Sequence, residues 1–170
     1  MTMTVVFSHG LESGPWGTKI NAMADVARAA GMAVESIDYQ GMREPGPRVD
    51  KLAVALADLA PSRTVLVGSS MGGHVATAVA AQQSMAGLFV LAPAFYMPGY
   101  ESLTPQAPDC PMQIVHGWHD DVVPVDNSIR FARTHQVTLH IVDSDHRLSS
   151  ALGQITAQFG LFLASLGSSG

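Results

Sequence analysis

The stretch TVLVGSSMG, from Thr64 to Gly72, decides the fold of this chain. Its apolar first half predicts a buried strand, and the run of small residues that begins at His74 predicts a helix that packs closely on a sheet. Between the two, the pattern G-x-S-x-G predicts a sharp strand-to-helix turn at Ser70, because side chains at the flanking glycines would crowd strand and helix. The stretch therefore predicts an exposed serine hydroxyl at the end of a sheet. The backbone N–H of Met71 lies beside it at a helix N-terminus, where anions are favoured.

Length and composition indicate one globular domain. The chain has 170 residues, 47% of them hydrophobic and only 14% charged, so it can bury a large core and is not a disordered protein. We expect a single domain over residues 1–166, followed by a flexible tail over residues 167–170.

Charge and hydropathy exclude several classes of partner. The net charge is −5 and no dense cluster of Lys and Arg occurs, which argues against nucleic-acid binding. No apolar run is long enough to cross a bilayer, and no charged segment of the signal-peptide type precedes the first strand. The one cysteine, Cys110, permits no internal disulfide and lies in a loop-like stretch, so we interpret it as incidental. These features predict a cytoplasmic protein.

Apolar, β-branched runs alternate with longer Ala-rich segments along the chain. The predicted strands are Thr4–Ser8, Ala33–Asp38, Arg63–Gly68, Gly87–Ala92, Met112–His116 and Val137–Asp143. The predicted helices are Thr18–Ala30, Val49–Leu59, Met71–Gln83, Asp126–Thr134 and Ser149–Leu166. Most of the strands are almost continuously apolar, as in a sheet covered on both faces. The alternation therefore predicts a three-layer α/β/α sandwich with a mostly parallel sheet.

One interval interrupts this alternation. Five prolines lie between Pro93 and Pro111, together with the large side chains of Phe95, Tyr96 and Met97. The interval is a connecting loop that we expect to form part of a substrate pocket, because long loops in compact domains are often functional. Trp16, in the loop after the first strand, is either a further pocket residue or a loop anchor.

The ends of the strands carry the residues with catalytic chemistry. Ligands bind outside the carboxyl ends of strands in open parallel sheets. The first strand ends in His9-Gly10, the third at Ser70, the fifth in the segment His116–Pro124, and the sixth near Asp145-His146. A serine, an acid and a histidine thus follow one another in the order Ser, Asp, His.

On these four motifs the chain resembles the α/β-hydrolase superfamily over nearly its whole length. Its size and its N-terminal motif, which begins at His9-Gly10, are similar to those of the small, lidless serine esterases of that superfamily, including the YqiA-like group. Larger members have two more strands before the His-Gly motif and often a helical cap after the strand that ends near Ala92. The resemblance therefore implies an α/β-hydrolase fold with a trimmed sheet of about six strands, no cap domain and a shallow, open site.

The resemblance also implies the role of each site residue. Ser70 matches the nucleophile, His146 the general base and acid, and Asp120 the acid of the triad. The backbone N–H groups of Leu11 and Met71 match the oxyanion hole. The implied reaction is the cleavage of small carboxylic ester or thioester bonds through an acyl-enzyme, with no cofactor and no metal. An acyltransferase or a peptidase would use the same triad, and a non-catalytic ligand-binding protein could share the fold.

Neighbouring residues compete for some of these roles. Asp121 and Asp126 are rival acids, but Asp120 has the family spacing from His116, and Asp126 is expected to cap the next helix. His119 could form a metal-like cluster with its acidic neighbours, yet no metal-binding spacing supports this.

Other polar residues near the motifs have structural interpretations. Ser69 is expected to point away from the site, and His74 is expected to pack on the helix surface. His9 and His116 are expected to stabilise loops through local hydrogen bonds, and Ser13 to border the pocket.

Overall fold

A computed structural model describes residues 2–167, and its centre is a six-stranded parallel sheet. The strands are β1 (Thr4–Ser8), β2 (Ala33–Ile37), β3 (Thr64–Ser69), β4 (Gly87–Leu91), β5 (Met112–Gly117) and β6 (Thr138–Val142). Their order across the sheet is β2-β1-β3-β4-β5-β6, and every neighbouring pair is parallel. All six carboxyl ends therefore lie at one edge of the sheet, and the predicted sheet is confirmed.

Five helices cover the two faces of the sheet. They are α1 (Thr18–Ala29), α2 (Pro45–Ala55), α3 (Met71–Ala80), α4 (Val125–His135) and α5 (Leu152–Gly167). One hydrophobic cluster joins α1 and α5 to one face, and a second cluster joins α2, α3 and α4 to the other. The inner strands β1, β3, β4 and β5 have buried side chains on both faces, which explains their largely apolar sequences. The three-layer α/β/α sandwich is thus confirmed.

The prediction for α2 was wrong at both ends. The helix begins at Pro45 rather than Val49 and ends at Ala55 rather than Leu59. Proline is well tolerated in the first turn of a helix, because its missing N–H would have no partner within the helix there. Pro45 and Pro47 thus belong to the helix, and the displaced N-terminus reaches the carboxyl edge of the sheet.

The segment between β4 and β5 contains no cap domain. Its one regular element is a single 3-10 turn over Glu101–Leu103, within the part of the chain that the structure describes. At the C-terminus, Gly167 is the last residue of α5 rather than the first of the predicted tail. The other residues of that tail, 168–170, lie outside the described residues.

Candidate active site

Ser70 occupies a strained turn between β3 and α3. Its backbone has a φ of 54° and a ψ of −119°, a conformation that non-glycine residues rarely adopt. Hydrogen bonds hold it there: the Ser70 N–H donates to the Leu91 carbonyl at 2.9 Å, and the Ser70 carbonyl accepts the Ala94 N–H at 3.0 Å. The turn is therefore fixed by the end of β4, and the strain marks Ser70 as a candidate functional residue.

Two glycines allow this turn to form. A Cβ atom on Gly68 would overlap the Gly72 carbonyl oxygen, and a Cβ atom on Gly72 would overlap the carbonyl oxygen of Ser8. Strand β3, helix α3 and the end of β1 therefore approach one another backbone to backbone. This contact brings the loop after β1 next to Ser70.

Asp120 and His146 form the closest acid–imidazole pair of the site. The Asp120 Oδ2 lies 2.7 Å from His146 Nδ1, and the Asp120 side chain is fully buried whereas that of His146 is 21% exposed. The other carboxylate oxygen of Asp120 accepts the N–H groups of Val122 and Val123 at 2.9 and 2.8 Å. The carboxylate is thus fixed, and it orients an imidazole that remains open to the cavity.

His116, in β5, contacts the carboxylate of Asp120. Its Nε2 lies 3.1 Å from Asp120 Oδ2 and 2.9 Å from the Val123 carbonyl, and its Nδ1 accepts the hydroxyl of the buried Ser128 at 2.7 Å. Burial lowers the pKa of His116, so its ring is neutral near pH 7 and Nε2 carries the proton. The fifth strand thus provides an N–H donor for the acid, which lies in the loop directly after that strand.

The loops that carry Asp120 and His146 are joined by a tight backbone contact. A Cβ atom on Gly117 would overlap the Ser144 carbonyl oxygen, and the same oxygen accepts the His119 N–H at 3.0 Å. Next to His146, the Asp145 carboxylate accepts the N–H of Arg147 at 3.0 Å and closes a local turn. A glycine is therefore required after His116, because a larger residue would collide with the backbone of Ser144.

A cavity of about 1020 Å³ opens at this edge of the sheet, and Ser70 and His146 both line it. Its volume is at the upper end of the range for small-molecule sites. In place of a cap domain, residues near the N-termini of three helices line the cavity: Lys19 in α1, Pro45 in α2 and Leu152 in α5.

The two amides predicted for an oxyanion hole belong to residues of the same cavity. Leu11 and Met71 both line it, and the Met71 N–H is one of the amides of the first turn of α3 that have no partner within the helix. A Cβ atom placed on Gly10 would be 3.4 Å from the Ser70 Cβ. The loop after β1 thus passes directly beside the candidate nucleophile.

The pocket residues predicted from sequence separate into two groups. Met97 lines the cavity, as do Ala94, Pro98 and Tyr100 of the same segment. Phe95 is fully buried and stacks on Phe131 with ring centroids 4.2 Å apart, so it is a core residue and its assignment to the pocket was wrong.

Tyr96 and Trp16 also lie outside the cavity lining. Tyr96 packs under Arg130, whose guanidinium carbon is 3.9 Å from the ring centroid. Trp16 is 44% exposed, and its carbonyl accepts a hydrogen bond from the Asn21 side chain at 2.7 Å. The lining of the described cavity therefore includes neither of these two predicted pocket residues.

The rival acids and the suggested metal cluster do not converge on the site. Asp121 is exposed, and Asp126 lies inside the first turn of α4 rather than capping it, since Pro124 is the N-cap residue. His119 is bonded to the exposed Asp143 at 2.9 Å. Among residues 2–167, no three His, Cys, Asp or Glu side chains form a group that could hold a metal ion.

None of the helices over the same residues is long and apolar enough to span a membrane.

Ser69 is one of the residues that line the cavity beside Ser70. The expectation for His74 was wrong. His74 is buried rather than on the helix surface, and it also lines the cavity. Burial lowers the pKa of His74, while a hydrogen bond to the backbone of Ala94 opposes that shift. Its position four residues after Ser70, on the same face of α3, was the signal that sequence reasoning could have used.

Sequence reasoning also missed Arg48, a fully buried charged residue of α2. Its Nε donates to the Met42 carbonyl at 2.8 Å and its Nη1 to the His9 carbonyl at 2.9 Å. No sequence motif indicates its role. Arg48 also lay outside the predicted helix, because the prolines before it suggested that the helix begins only at Val49.

Comparison with known proteins assigns the family. The family model described as an alpha/beta hydrolase domain matches residues 1–154. A protein of Xanthomonas campestris pv. campestris, assigned to the alpha/beta superfamily of hydrolases, is 28% identical with a TM-score of 0.88. That match covers 97% of this chain and 99% of the other.

More distant structures share the fold. Est1E of Butyrivibrio proteoclasticus is 17% identical with a TM-score of 0.82, over 98% of this chain and 89% of Est1E. No protein of curated function matches the sequence. With the family model matching residues 1–154, the chain belongs to the alpha/beta hydrolase domain family.

Proposed function

We propose that this protein is a serine hydrolase that cleaves small carboxylic esters or thioesters through an acyl-enzyme on Ser70. The observation that carries the proposal is the buried Asp120 carboxylate 2.7 Å from His146 Nδ1, with Ser70 in its strained turn on the wall of the same cavity. Asp120 fixes the tautomer in which Nδ1 carries the proton, so His146 Nε2 is free to accept one.

The mechanism uses these groups in two half-reactions. His146 Nε2 takes the proton of the Ser70 hydroxyl as its oxygen attacks the ester carbonyl, and returns that proton to the departing alcohol or thiol. Water then attacks the acyl-enzyme with His146 again as the base, and Ser70 regains its proton as the acid leaves. The N–H groups of Leu11 and Met71 stabilise the oxyanion in both steps, each contributing about 3 kcal/mol to the lowering of the barrier.

Kinetics with p-nitrophenyl esters of increasing acyl length test this proposal. Ser70→Ala is expected to lower kcat by at least about 10³-fold with the thermal midpoint of unfolding preserved, because the nucleophile is lost. The matched variant Ser69→Ala removes the hydroxyl of the neighbouring residue and is expected to keep acylation on Ser70. Ester turnover that survives in Ser70→Ala would contradict the proposal.

The identity of the acyl acceptor is tested with the same substrates. We propose water, and the release of free acid is therefore expected to stay in balance with p-nitrophenol when alcohols or amines are added. Transfer of most acyl groups to an added alcohol or amine would identify an acyltransferase instead.

A further inference from the structure

Arg48 is buried without a carboxylate partner. Its side chain reaches the core behind the His9-Gly10 loop, and the residue is only 1% exposed. None of the ion pairs found within residues 2–167 includes it, and the titratable groups that interact with its charge include Tyr39, Arg43 and His9. Burial lowers the pKa of its guanidinium, yet arginine stays charged in proteins. A buried cation of this kind is costly unless polar groups compensate it.

Backbone carbonyls provide that compensation, and two of them belong to the loop beside Ser70. Arg48 Nη1 donates to the His9 carbonyl at 2.9 Å, and Nη2 lies 3.5 Å from the Gly10 carbonyl. The Gly10 carbonyl also accepts a hydrogen bond from His9 Nδ1 at 2.7 Å. His9 can donate from Nδ1 because its Nε2 accepts the Tyr39 N–H at 2.8 Å, and burial lowers its pKa.

The direction of these carbonyls sets the direction of the next amide. In a trans peptide the C=O and the following N–H point to opposite sides of the chain. The Gly10 carbonyl points to His9 and Arg48, so the N–H of Leu11 points away from them. Leu11 lines the cavity, and the Cβ position of Gly10 is 3.4 Å from the Ser70 Cβ.

We propose that Arg48 is a positioning residue for the oxyanion hole. Its guanidinium holds the His9 and Gly10 carbonyls away from the cavity, and its charge polarises the Gly10–Leu11 peptide so that the Leu11 N–H becomes a stronger donor. The inference rests on the proposed function, since it assigns a task in stabilising the tetrahedral oxyanion formed when Ser70 attacks. No bond to Arg48 forms or breaks in the reaction.

The variants Arg48→Met and Arg48→Lys test the role. Methionine has a similar length without charge or donors, and lysine retains the charge but cannot reach two carbonyls in a planar fork. The control is Leu52→Ala, one turn further along α2, which removes a fully buried apolar side chain of the core. Titration of Ser70 with a fluorophosphonate gives the number of competent sites, so that loss of folded protein does not count as loss of catalysis.

The expected result is a loss of kcat per labelled site with little change in KM. Arg48→Met should lower kcat by about 10²-fold, the size of effect seen when one oxyanion donor is lost, and Arg48→Lys should lower it by roughly 10-fold. The affinity for phenylboronic acid, which forms a tetrahedral adduct on the serine, should fall in parallel. Leu52→Ala should lower only the stability.

Two outcomes overturn the inference. An Arg48→Met protein that is labelled at Ser70 and keeps kcat and boronate affinity within about threefold of wild type contradicts the role. If Arg48→Met does not fold, the same result for Arg48→Lys contradicts it. A wild-type protein that is not labelled at Ser70 contradicts the proposed function itself, which distinguishes the two failures.

Discussion

The Asp120 Oδ2 atom lies 2.7 Å from His146 Nδ1 although 26 residues separate the two along the chain. The contact depends on the loops after β5 and β6, which meet where Gly117 touches the Ser144 backbone. Because the carboxylate is buried and accepts two backbone N–H groups as well, its position does not depend on the imidazole. Asp120 is therefore in place before a substrate binds.

Replacing Asp120 by Asn should abolish most of the activity without unfolding the protein. The amide would still accept the N–H groups of Val122 and Val123, but it would not hold His146 in the tautomer with a protonated Nδ1. We expect kcat for p-nitrophenyl acetate to fall by about 10⁴-fold. The matched control is Asp121→Asn, at the exposed neighbouring position, which should leave kcat unchanged. Equal losses in the two variants would contradict the assignment of the acid.

Truncation of Phe95 should lower the stability of the protein, whereas truncation of Met97 should weaken substrate binding. Phe95→Ala should lower the free energy of unfolding by about 3–5 kcal/mol, because it empties a stacked core position against Phe131. Met97→Ala should change stability by less than about 1 kcal/mol but raise KM for longer acyl esters by roughly 2- to 10-fold, since apolar contact in the cavity is lost. Urea unfolding and steady-state kinetics measure both quantities. A normal stability for Phe95→Ala would contradict its assignment to the core.

Two glycine substitutions should change stability with opposite signs. A Cβ atom on Gly72 would overlap the backbone of Ser8, so Gly72→Ala should lower the free energy of unfolding by at least about 3 kcal/mol or prevent folding. Gly160→Ala, within α5, places a Cβ 3.6 Å from Val26 Cγ1 and should stabilise the protein by about 0.5–1 kcal/mol. Thermal unfolding of both variants checks the pair. A stable Gly72→Ala protein would be incompatible with the close contact of α3 and β1.

The buried histidines should make the protein less stable as the pH falls. Burial lowers the pKa of His9, His74 and His116 below the ordinary value of 6.5. Below that value the unfolded chain binds more protons than the folded one, so the free energy of unfolding decreases with decreasing pH. The decrease is at most about 1.4 kcal/mol per pH unit for each histidine.

His74→Gln isolates one of these contributions. Urea unfolding between pH 7.5 and pH 5 should show a smaller loss of stability for this variant than for the wild type. Val79→Ala, which removes buried methyl groups from the same helix, should instead lower stability by the same amount at every pH. Parallel pH profiles for wild type and His74→Gln would show that the histidine does not resist protonation in the folded state.

Motifs at strand ends predicted the architecture well because each has a local cause. Continuous apolar runs predicted the six strands, the glycines at Gly68 and Gly72 predicted the turn at Ser70, and the order Ser, Asp, His suggested the site residues. The structure then brings Ser70, Asp120 and His146 to one edge of the sheet. These positions follow from chain connectivity and from the rule that parallel strands end together.

Features that depend on packing between distant segments were not predictable in the same way. Phe95 and Met97 are two residues apart in one loop, and only the position of Phe131 on α4 decides that the first is a core residue. Arg48 lies within hydrogen-bond distance of Gly10, 38 residues earlier in the chain, and the prolines before it obscured the sequence signal for the start of α2. Side-chain direction in irregular loops is set by such tertiary contacts, which no local pattern encodes.

Labelling with a fluorophosphonate probe, followed by mapping of the modified peptide, tests the central claim most directly. It requires no knowledge of the substrate, because the probe reacts with an activated serine in an assembled triad. We expect wild-type protein to be modified at Ser70, and Ser70→Ala to remain unmodified while folded. Folded wild-type protein that is not labelled, or that is labelled at another serine, would contradict the account of Ser70 as the activated nucleophile.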